Sequence, residues 1–173
     1  MEIVTIDKQL KKLSTGDVSA FESIYEQTCK TVYFMALSVL KERSLAEDVM
    51  QSAYLNIIKN ASSYRAGTNA LAWIAAIVKN EALNLKKKRG HEIYIDEKAN
   101  LAVFGTAQTD DYGLLTDLAR RLLPQDEFEI LMLVAAAGYK RREIADMLGI
   151  PVSTVTWKFN CATEKMRKAL KDR

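Results

Sequence analysis

Apolar residues recur every three to four positions along most of the chain, and polar residues fill the intervals. That period is typical of amphipathic α-helices. It predicts a long helix starting near Val18, a second over residues 45–59 and a third over residues 70–89, after a charged lead-in with room for a short helix. In the second helix the spacing turns Ala46, Val49, Ala53 and Ile57 towards a core. With 7 Gly and 2 Pro in 173 residues, the pattern predicts an all-α fold.

The last third of the chain carries the pattern of a helix-turn-helix. Ile144, Ala145 and Leu148 are spaced for the buried face of a short helix, and Gly149 suits the left-handed residue that ends it. Pro151 fits the start of a second helix, whose predicted inward positions are Val152, Val155, Phe159, Ala162 and Met166. The outward positions near its start are Ser153, Thr154, Thr156, Trp157, Lys158 and Asn160. In such a motif this end enters the DNA major groove. The alternative is an ordinary helical hairpin with a solvated face.

Charge is unevenly distributed along the chain although the net charge is only +3. Residues 79–89 and 139–173 are basic, whereas residues 91–118 hold 6 Asp and Glu against 1 Lys. Basic stretches suit contact with phosphates and an acidic stretch repels them, although solvated helix faces give the same pattern. The acidic stretch contains Gly105 and Gly113 and lacks helical period. We therefore predict two small helical domains, residues 1–90 and 114–173, joined by a flexible acidic linker over residues 91–113.

The third predicted helix and the loop before it combine aromatic, amide and basic side chains. Tyr64 and Arg65 lie in the loop, and Trp73, Lys79 and Asn80 lie on the helix. The helix is predicted to end in a basic run: Lys86, Lys87, Lys88 and Arg89. Aromatic faces stack bases while cations hold phosphates, so this set fits single-stranded nucleic acid. The alternative is that Trp73 and Tyr64 are core residues.

The second helix has a mixed outer surface. Asp48, Gln51, Ser52, Leu55 and Ile58 fall on its other sides. A face that mixes polar and apolar groups is typical of protein-binding surfaces. The alternative is a wide core stripe in a packed bundle.

Few residues offer catalytic chemistry. The chain has one His, and it has no Gly-rich phosphate loop, nucleophile–base spacing or metal-ligand cluster. We therefore expect no enzyme activity, cofactor or metal. Cys29 and Cys161 form no disulfide framework, and the sequence has neither a signal peptide nor an apolar run long enough to span a bilayer. These observations predict a cytoplasmic protein that does not insert into membranes.

Several motifs in one order resemble the bacterial sigma factors of the extracytoplasmic-function (ECF) type, in the sigma-70 family. Gly16-Asp17 with Ala20-Phe21 is similar to the start of region 2 of that family. Residues 46–51, Ala-Glu-Asp-Val-Met-Gln, are similar to its polymerase-clamp signature, and Ala72-Trp73-Ile74 with residues 77–80 to its minus-ten helix. Leu123-Pro124 and Glu143-Ile144-Ala145 through Thr154-Val155 resemble region 4. The resemblance covers nearly the whole chain.

The resemblance implies an alternative sigma factor, which binds core RNA polymerase and directs it to selected promoter DNA. It assigns the clamp contact to Asp48, Gln51, Ser52, Tyr54 and Ile58. It assigns minus-ten reading to Asn80 with Lys79 and Trp73, and a flipped base to the loop from Tyr64 through Arg65 to Asn69. It assigns the minus-thirty-five element to Thr156, Trp157, Lys158, Asn160 and Cys161. An anti-sigma factor is a further implied partner.

The recognition helix departs from the family pattern. Where several Arg usually follow Thr-Val, this chain has an early Lys158 among uncharged residues, so strong Arg readout of guanine is not expected. Two alternatives stay open at this point. A free-standing helix-turn-helix regulator explains residues 138–173 but not residues 46–51. A sigma-like adaptor that reads DNA poorly explains the weakly basic recognition helix.

Overall fold

The computed structural model describes residues 3–93 and 113–171, within which the chain forms eight α-helices and one 3-10 turn. The first half contains α1 (Ile3–Ser14), α2 (Ala20–Leu40), α3 (Arg43–Asn60), the 3-10 turn (Ala61–Ser63) and α4 (Ala70–Ile93). The second half contains α5 (Gly113–Leu122), α6 (Gln125–Ala135), α7 (Arg141–Leu148) and α8 (Val152–Lys171). The all-α prediction is confirmed. Most of the predicted linker, residues 94–112, lies outside the described residues.

Two helices are longer than the sequence pattern predicts. The charged lead-in is a full helix, because Ile6, Leu10 and Leu13 are spaced to bury one face of α1. The third predicted helix does not stop at the basic run before Gly90, since α4 continues to Ile93. A glycine inside a helix costs only about 1 kcal/mol relative to alanine, so Gly90 alone does not end it.

Helix α2 is the centre of the molecule. It packs against α1, α3 and α4 in the first half and against α6 in the second. Its buried face includes three hydroxyl residues, Thr28, Thr31 and Ser38. Thr28 and Ser38 donate hydrogen bonds to backbone carbonyls of their own helix, at 2.6 and 2.7 Å. A satisfied hydroxyl carries little burial penalty, so α2 keeps polar groups inside the core.

The second half folds around Phe128, Leu133, Ile144 and Val155, all of which are buried. Two predictions of core residues are wrong, one for Val152 and one for the inward face of α5. Val152 is exposed because it is the first residue of α8 and its side chain points back beyond the helix start. In α5 the spacing of Leu115, Leu118 and Leu122 predicts an inward apolar face, but the buried residues are Thr116 and Ala119. The helix therefore turns its small side chains inward, and Leu115 and Leu122 are exposed.

The two halves pack directly on each other. Besides the contact of α6 with α2, α7 packs against α4, and the buried apolar residues of both halves belong to one cluster. The Thr31 hydroxyl donates a 2.9 Å hydrogen bond to the Tyr139 hydroxyl across this boundary, which we call the seam. At the seam, predicted nucleic-acid residues of the first half contact helices of the second half.

Candidate protein-binding and nucleic-acid interfaces

An open groove of about 540 Å³ runs between α2 and α3. Its walls are mostly apolar and aromatic, and it is lined by Phe21, Tyr25, Glu47, Met50, Gln51, Tyr54, Leu55 and Ile58. Leu55 is 69% exposed and Ile58 is 38% exposed. A site where large apolar side chains converge in a concave, open surface is suited to bind a complementary apolar partner.

Four of the five predicted clamp residues are exposed on α3 beside this groove. Asp48, Gln51, Ser52 and Ile58 have exposed side chains, as the helical spacing indicated. Tyr54 is different: its side chain is buried, and its hydroxyl shares a 2.9 Å hydrogen bond with Thr28. Burial raises the pKa of the Tyr54 phenol. Tyr54 nevertheless lines the groove, and its predicted place in the clamp contact stays a prediction.

Sequence reasoning missed the aromatic wall of the groove. The spacing of Phe21 and Tyr25 predicts that both lie on the apolar face of the first long helix, and it does not predict a groove. In the structure the Tyr54 ring lies edge-on to Phe21 at 5.7 Å and 5.0 Å from Tyr25. The available signal was the pairing of aromatic residues four apart on α2, which places both rings on one face.

The two predicted nucleic-acid residues of the loop before α4, Tyr64 and Arg65, differ in exposure. Tyr64 is buried, and its hydroxyl donates to the Asp7 carboxylate of α1. Burial, reinforced by this bond, raises the pKa of the phenol to about 12. The alternative that Tyr64 is a core residue is therefore correct for the free chain. Arg65 beside it is exposed.

Asn69 begins α4. Its Oδ1 accepts the Ala72 N–H at 3.0 Å, an N-cap bond that satisfies one free donor of the helix start. Its Nδ2 donates to the Asp146 carbonyl in the last turn of α7, also at 3.0 Å. Both polar ends of this predicted base-pocket residue thus have partners, and one of those partners lies in the second half.

Along α4 the predicted nucleic-acid residues are exposed to different degrees. Trp73 is half-buried against Tyr64, with ring centres 5.4 Å apart. Lys79 is half-buried, and its Nζ lies 3.1 Å from Glu129 Oε1 of α6. Asn80 is exposed. The basic run is exposed throughout: Lys86, Lys87, Lys88 and Arg89. Arg89 pairs with Glu42 at 3.1 Å, on the surface.

The helix-turn-helix forms as predicted. Glu143 accepts the Lys140 N–H at 2.7 Å and caps the start of α7. Gly149 ends α7 in the left-handed region, with φ 66°, where a Cβ would be strained. The Ile150 N–H then donates to the Ala145 carbonyl at 3.1 Å. This turn presents the start of α8.

The start of α8 carries the predicted recognition residues. Ser153 and Asn160 are exposed, and Trp157 is 62% exposed. The remaining members, Thr154, Thr156, Lys158 and Cys161, are half-buried. This surface therefore offers hydroxyl, amide and indole groups.

The cation of this set already has a carboxylate partner. Lys158 pairs with Asp126 at the start of α6 and lies 5.6 Å from the Trp157 ring. The bond to Lys158 lowers the pKa of the Asp126 carboxyl. Further along α8, Lys165 pairs with Glu127 at 2.7 Å. After Pro124 the sequence predicts only that both acids lie in the first turn of a helix, and no local signal predicts their pairing with α8.

No helix in the two described ranges is long and apolar enough to cross a membrane.

Comparison with known proteins assigns both halves. The sequence model of sigma-70 region 2 matches residues 24–92, and that of sigma-70 region 4 matches residues 118–156. The chain is 24% identical to the RNA polymerase sigma factor CarQ of Myxococcus xanthus, over 93% of this chain and 95% of CarQ. It is 24% identical to the ECF RNA polymerase sigma factor SigW of Bacillus subtilis, over 96% and 97% of the two chains.

Solved structures agree at the level of the fold. CnrH, in complex with the cytosolic domain of CnrY, superposes with a TM-score of 0.69 at 16% identity, covering 97% of this chain and 98% of CnrH. The sigma factor RpoE of Bartonella quintana, in complex with the anti-sigma factor NepR, gives 0.65 at 23% identity, covering 90% and 100%. With both sigma-70 regions matched in order and ECF sigma factors among its full-length relatives, the chain belongs to the ECF type of the sigma-70 family.

Proposed function

We propose that this chain acts as an alternative sigma factor whose groove between α2 and α3 docks core RNA polymerase. The observation that carries the proposal is the exposure of Leu55 and Ile58 beside an open aromatic groove. Glu47 lines the groove and Asp48 is exposed on the same helix. The complementary polymerase surface should present apolar side chains with cations around them, because opposite charges at a rim speed association.

The minus-ten element of the promoter is proposed to meet α4. Asn80 and Arg65 are both exposed. The Asn80 amide can form hydrogen bonds with a base edge, and the Arg65 guanidinium can bind a phosphate. The exposed basic run of Lys86, Lys87, Lys88 and Arg89 supplies further phosphate contacts, which are salt-dependent. Trp73 has one half-exposed ring available for stacking.

The minus-thirty-five element is proposed to meet the start of α8. Ser153, Asn160 and Trp157 are the exposed members of this surface. An amide such as Asn160 bonds adenine in two places, whereas guanine is most often read by Arg or Lys. Because Lys158 is paired with Asp126, this helix should contribute modest base discrimination.

That pairing also supports a second candidate function. A sigma-like adaptor would bind polymerase through the same groove but select DNA weakly. The observation in its favour is the ion pair that occupies the early cation of α8. A transcription assay separates the two candidates, because only a sigma factor directs the polymerase to start RNA synthesis at defined sites.

Three further properties follow from the proposal. The chain would recruit an enzyme rather than catalyse a reaction, and it would act in the cytoplasm, where polymerase and promoters are. An anti-sigma factor would be its regulator, as suggested by RpoE of Bartonella quintana, which was solved in complex with the anti-sigma factor NepR.

The test is reconstitution with purified core RNA polymerase. The full chain should co-purify with the core enzyme and direct run-off transcription from a subset of a randomised promoter library. Sequencing of the transcribed templates should reveal separate minus-ten and minus-thirty-five preferences. Co-purification without initiation would favour the adaptor, and failure to bind the core enzyme would reject both candidates.

A further inference from the structure

We propose that Asp7 of α1 is a positioning residue for promoter reading, because its carboxylate holds the loop of residues 64–69 in the shape that receives a flipped base of the minus-ten element. This inference rests on the proposed function, which gives that loop its role. The contact itself lies within the first half of the chain, so it does not depend on how the two halves are arranged. It can therefore be measured in the free chain, without polymerase.

A single carboxylate oxygen bonds the loop at two points. Asp7 Oδ1 accepts one hydrogen bond from the Tyr64 hydroxyl and another, at 2.8 Å, from the Gly67 backbone N–H. Hydrogen bonds to an ionised acceptor are roughly twice as strong as those between neutral groups. Asp7 therefore fixes both the start and the middle of the loop relative to α1.

The Gly67 N–H is the loop group that depends most on Asp7. The turn from Arg65 to Thr68 is closed at the Arg65 carbonyl, which accepts the Thr68 N–H at 3.2 Å and the Thr68 hydroxyl at 2.7 Å. Gly67 lies inside this turn with φ 83°, and its N–H donates to Asp7. The Tyr64 hydroxyl, in contrast, also lies 3.2 Å from the Thr68 carbonyl and can donate there once Asp7 is removed. Loss of Asp7 should therefore free the middle of the loop.

These bonds leave the outer side of the loop open. Residues 65–68 are all exposed, although the loop is bonded to α1. A Cβ added to Gly67 would meet no atom within 4 Å in the described part of the chain, apart from its chain neighbours, so there is room for a base beside it. On the inner side, the Tyr64 ring packs against Trp73 with ring centres 5.4 Å apart. Asp7 thereby also supports the aromatic residue proposed to stack a base, and a loop held in its bound shape loses less entropy when the base enters.

The alternative is a purely structural role for Asp7. Helix α1 already buries Ile6, Leu10 and Leu13, whereas Asp7 is half-buried. The apolar face therefore docks α1 on the bundle, and the carboxylate bonds the loop. Loss of a structural residue affects all bases and all core amides alike, whereas loss of a positioning residue affects one base and one loop.

The chain provides a matched control for the test. Asp7→Ala removes both bonds to the loop, and Asp7→Asn restores an acceptor of the same shape. Asp17 lies beyond the other end of α1, where its Oδ1 likewise accepts one backbone N–H and one hydroxyl, both from Ser19. Asp17→Ala therefore removes the same kinds of bond and the same charge as Asp7→Ala, away from the loop.

The first measurement is hydrogen exchange in the free chain, followed for each amide by NMR. Exchange of the Gly67 amide should be about tenfold faster in Asp7→Ala than in the parent, because a hydrogen bond to a charged acceptor is lost. The amides of Ile74 and Val78, in the buried part of α4, should keep their parental rates. Asp17→Ala should leave the Gly67 rate unchanged. An unchanged Gly67 rate in Asp7→Ala would overturn the proposal, as would equal acceleration of the α4 amides.

The second measurement uses holoenzyme assembled from the full chain and purified core polymerase. Its probe is promoter DNA recovered from the randomised library, with the minus-ten region pre-melted and each non-template base replaced in turn by an abasic nucleotide. The parent should bind intact DNA about tenfold more tightly than the probe that lacks the flipped base, since stacking of one base contributes a factor of that order. Asp7→Ala should reduce this ratio to about twofold, Asp7→Asn should recover most of it, and Asp17→Ala should keep it. A general loss of stability lowers both affinities and leaves the ratio unchanged.

The outcomes separate this proposal from the proposed function. If the parent chain initiates transcription but the ratio stays parental in Asp7→Ala, or falls equally in Asp17→Ala, the positioning role of Asp7 is wrong and the function stands. If the parent chain does not direct initiation, the proposed function is wrong and the role in promoter reading is wrong with it. Faster exchange at Gly67 in Asp7→Ala would then still show that Asp7 holds the loop.

Discussion

Leu55→Ala tests the groove as the polymerase-docking site. Leu55 is 69% exposed on α3, so its truncation removes few contacts in the free chain, and alanine is the most favourable residue for a helix. The fold should therefore be unchanged. If polymerase buries the exposed part of this side chain, the loss is roughly 1–2 kcal/mol, because complete burial of leucine is worth about 1.5–3 kcal/mol.

That loss corresponds to a dissociation constant for core polymerase that is about 5- to 30-fold weaker. Competition binding against a labelled parent chain measures it, with circular dichroism to check the helix content. Leu170→Ala is the control, because Leu170 is also exposed, at 48%, but lies on α8. Adding Ile58→Ala, three residues further along the same face, should weaken binding again. If Leu55→Ala with Ile58→Ala retains the affinity of the parent, polymerase does not dock at this groove.

Three other predictions concern charge and base reading. Asp126→Ala releases Lys158 and should steepen the salt dependence of duplex DNA binding by about 0.9 in the log–log slope, the value for one added phosphate contact; an unchanged slope would mean that Lys158 does not reach DNA. Asn80→Ala should change the minus-ten preference recovered from a randomised promoter library at unchanged core affinity, and recovery of the preference of the parent would contradict that role. Burial raises the Glu129 pKa. The parent should therefore lose stability relative to Glu129→Gln as pH rises from about 4.3, the ordinary glutamate pKa, through the raised pKa. Urea unfolding measures this difference, and a difference that stays constant with pH would contradict the prediction.

The sign in the last case follows from proton linkage. A carboxyl whose pKa is higher in the folded chain binds a proton more tightly there, so its contribution to stability is complete below its ordinary pKa and is lost as pH rises through the raised value. Lys79 and Asp126 are the charged groups that act on Glu129. Both chains contain Lys79 and Asp126, so the comparison with Glu129→Gln removes only the Glu129 carboxyl.

Local spacing predicted what local physics determines. The inward set of α3, Ala46, Val49, Ala53 and Ile57, is buried as expected, since helical period alone decides which residues share a face. Gly149 ends α7 in the left-handed region. Its place after a periodic run and before Ile150 and Pro151 was enough to predict that end. These predictions required no knowledge of distant residues.

Tertiary partners could not be predicted in this way. Thr31 and Tyr139 are 108 residues apart, and no spacing rule links them. Tyr64 and Tyr54 each have an apolar ring and a polar hydroxyl, so the residue type fits a surface position and a core position equally well. Their burial depends on the distant residues that bond the hydroxyls, Asp7 and Thr28. The exposed recognition helix was predicted, whereas the ion pair that occupies its lysine was not.

Helix α2 contributes both to a wall of the groove and to the hydrogen bond across the seam. Tyr25 lines the groove and Thr31 donates across the seam, and six residues of helix span only about 9 Å along the axis. The two surfaces therefore cannot vary independently. A shift of α2 as a rigid body that changes the groove wall also moves the Thr31 hydroxyl, so the position of this helix must satisfy both contacts at once.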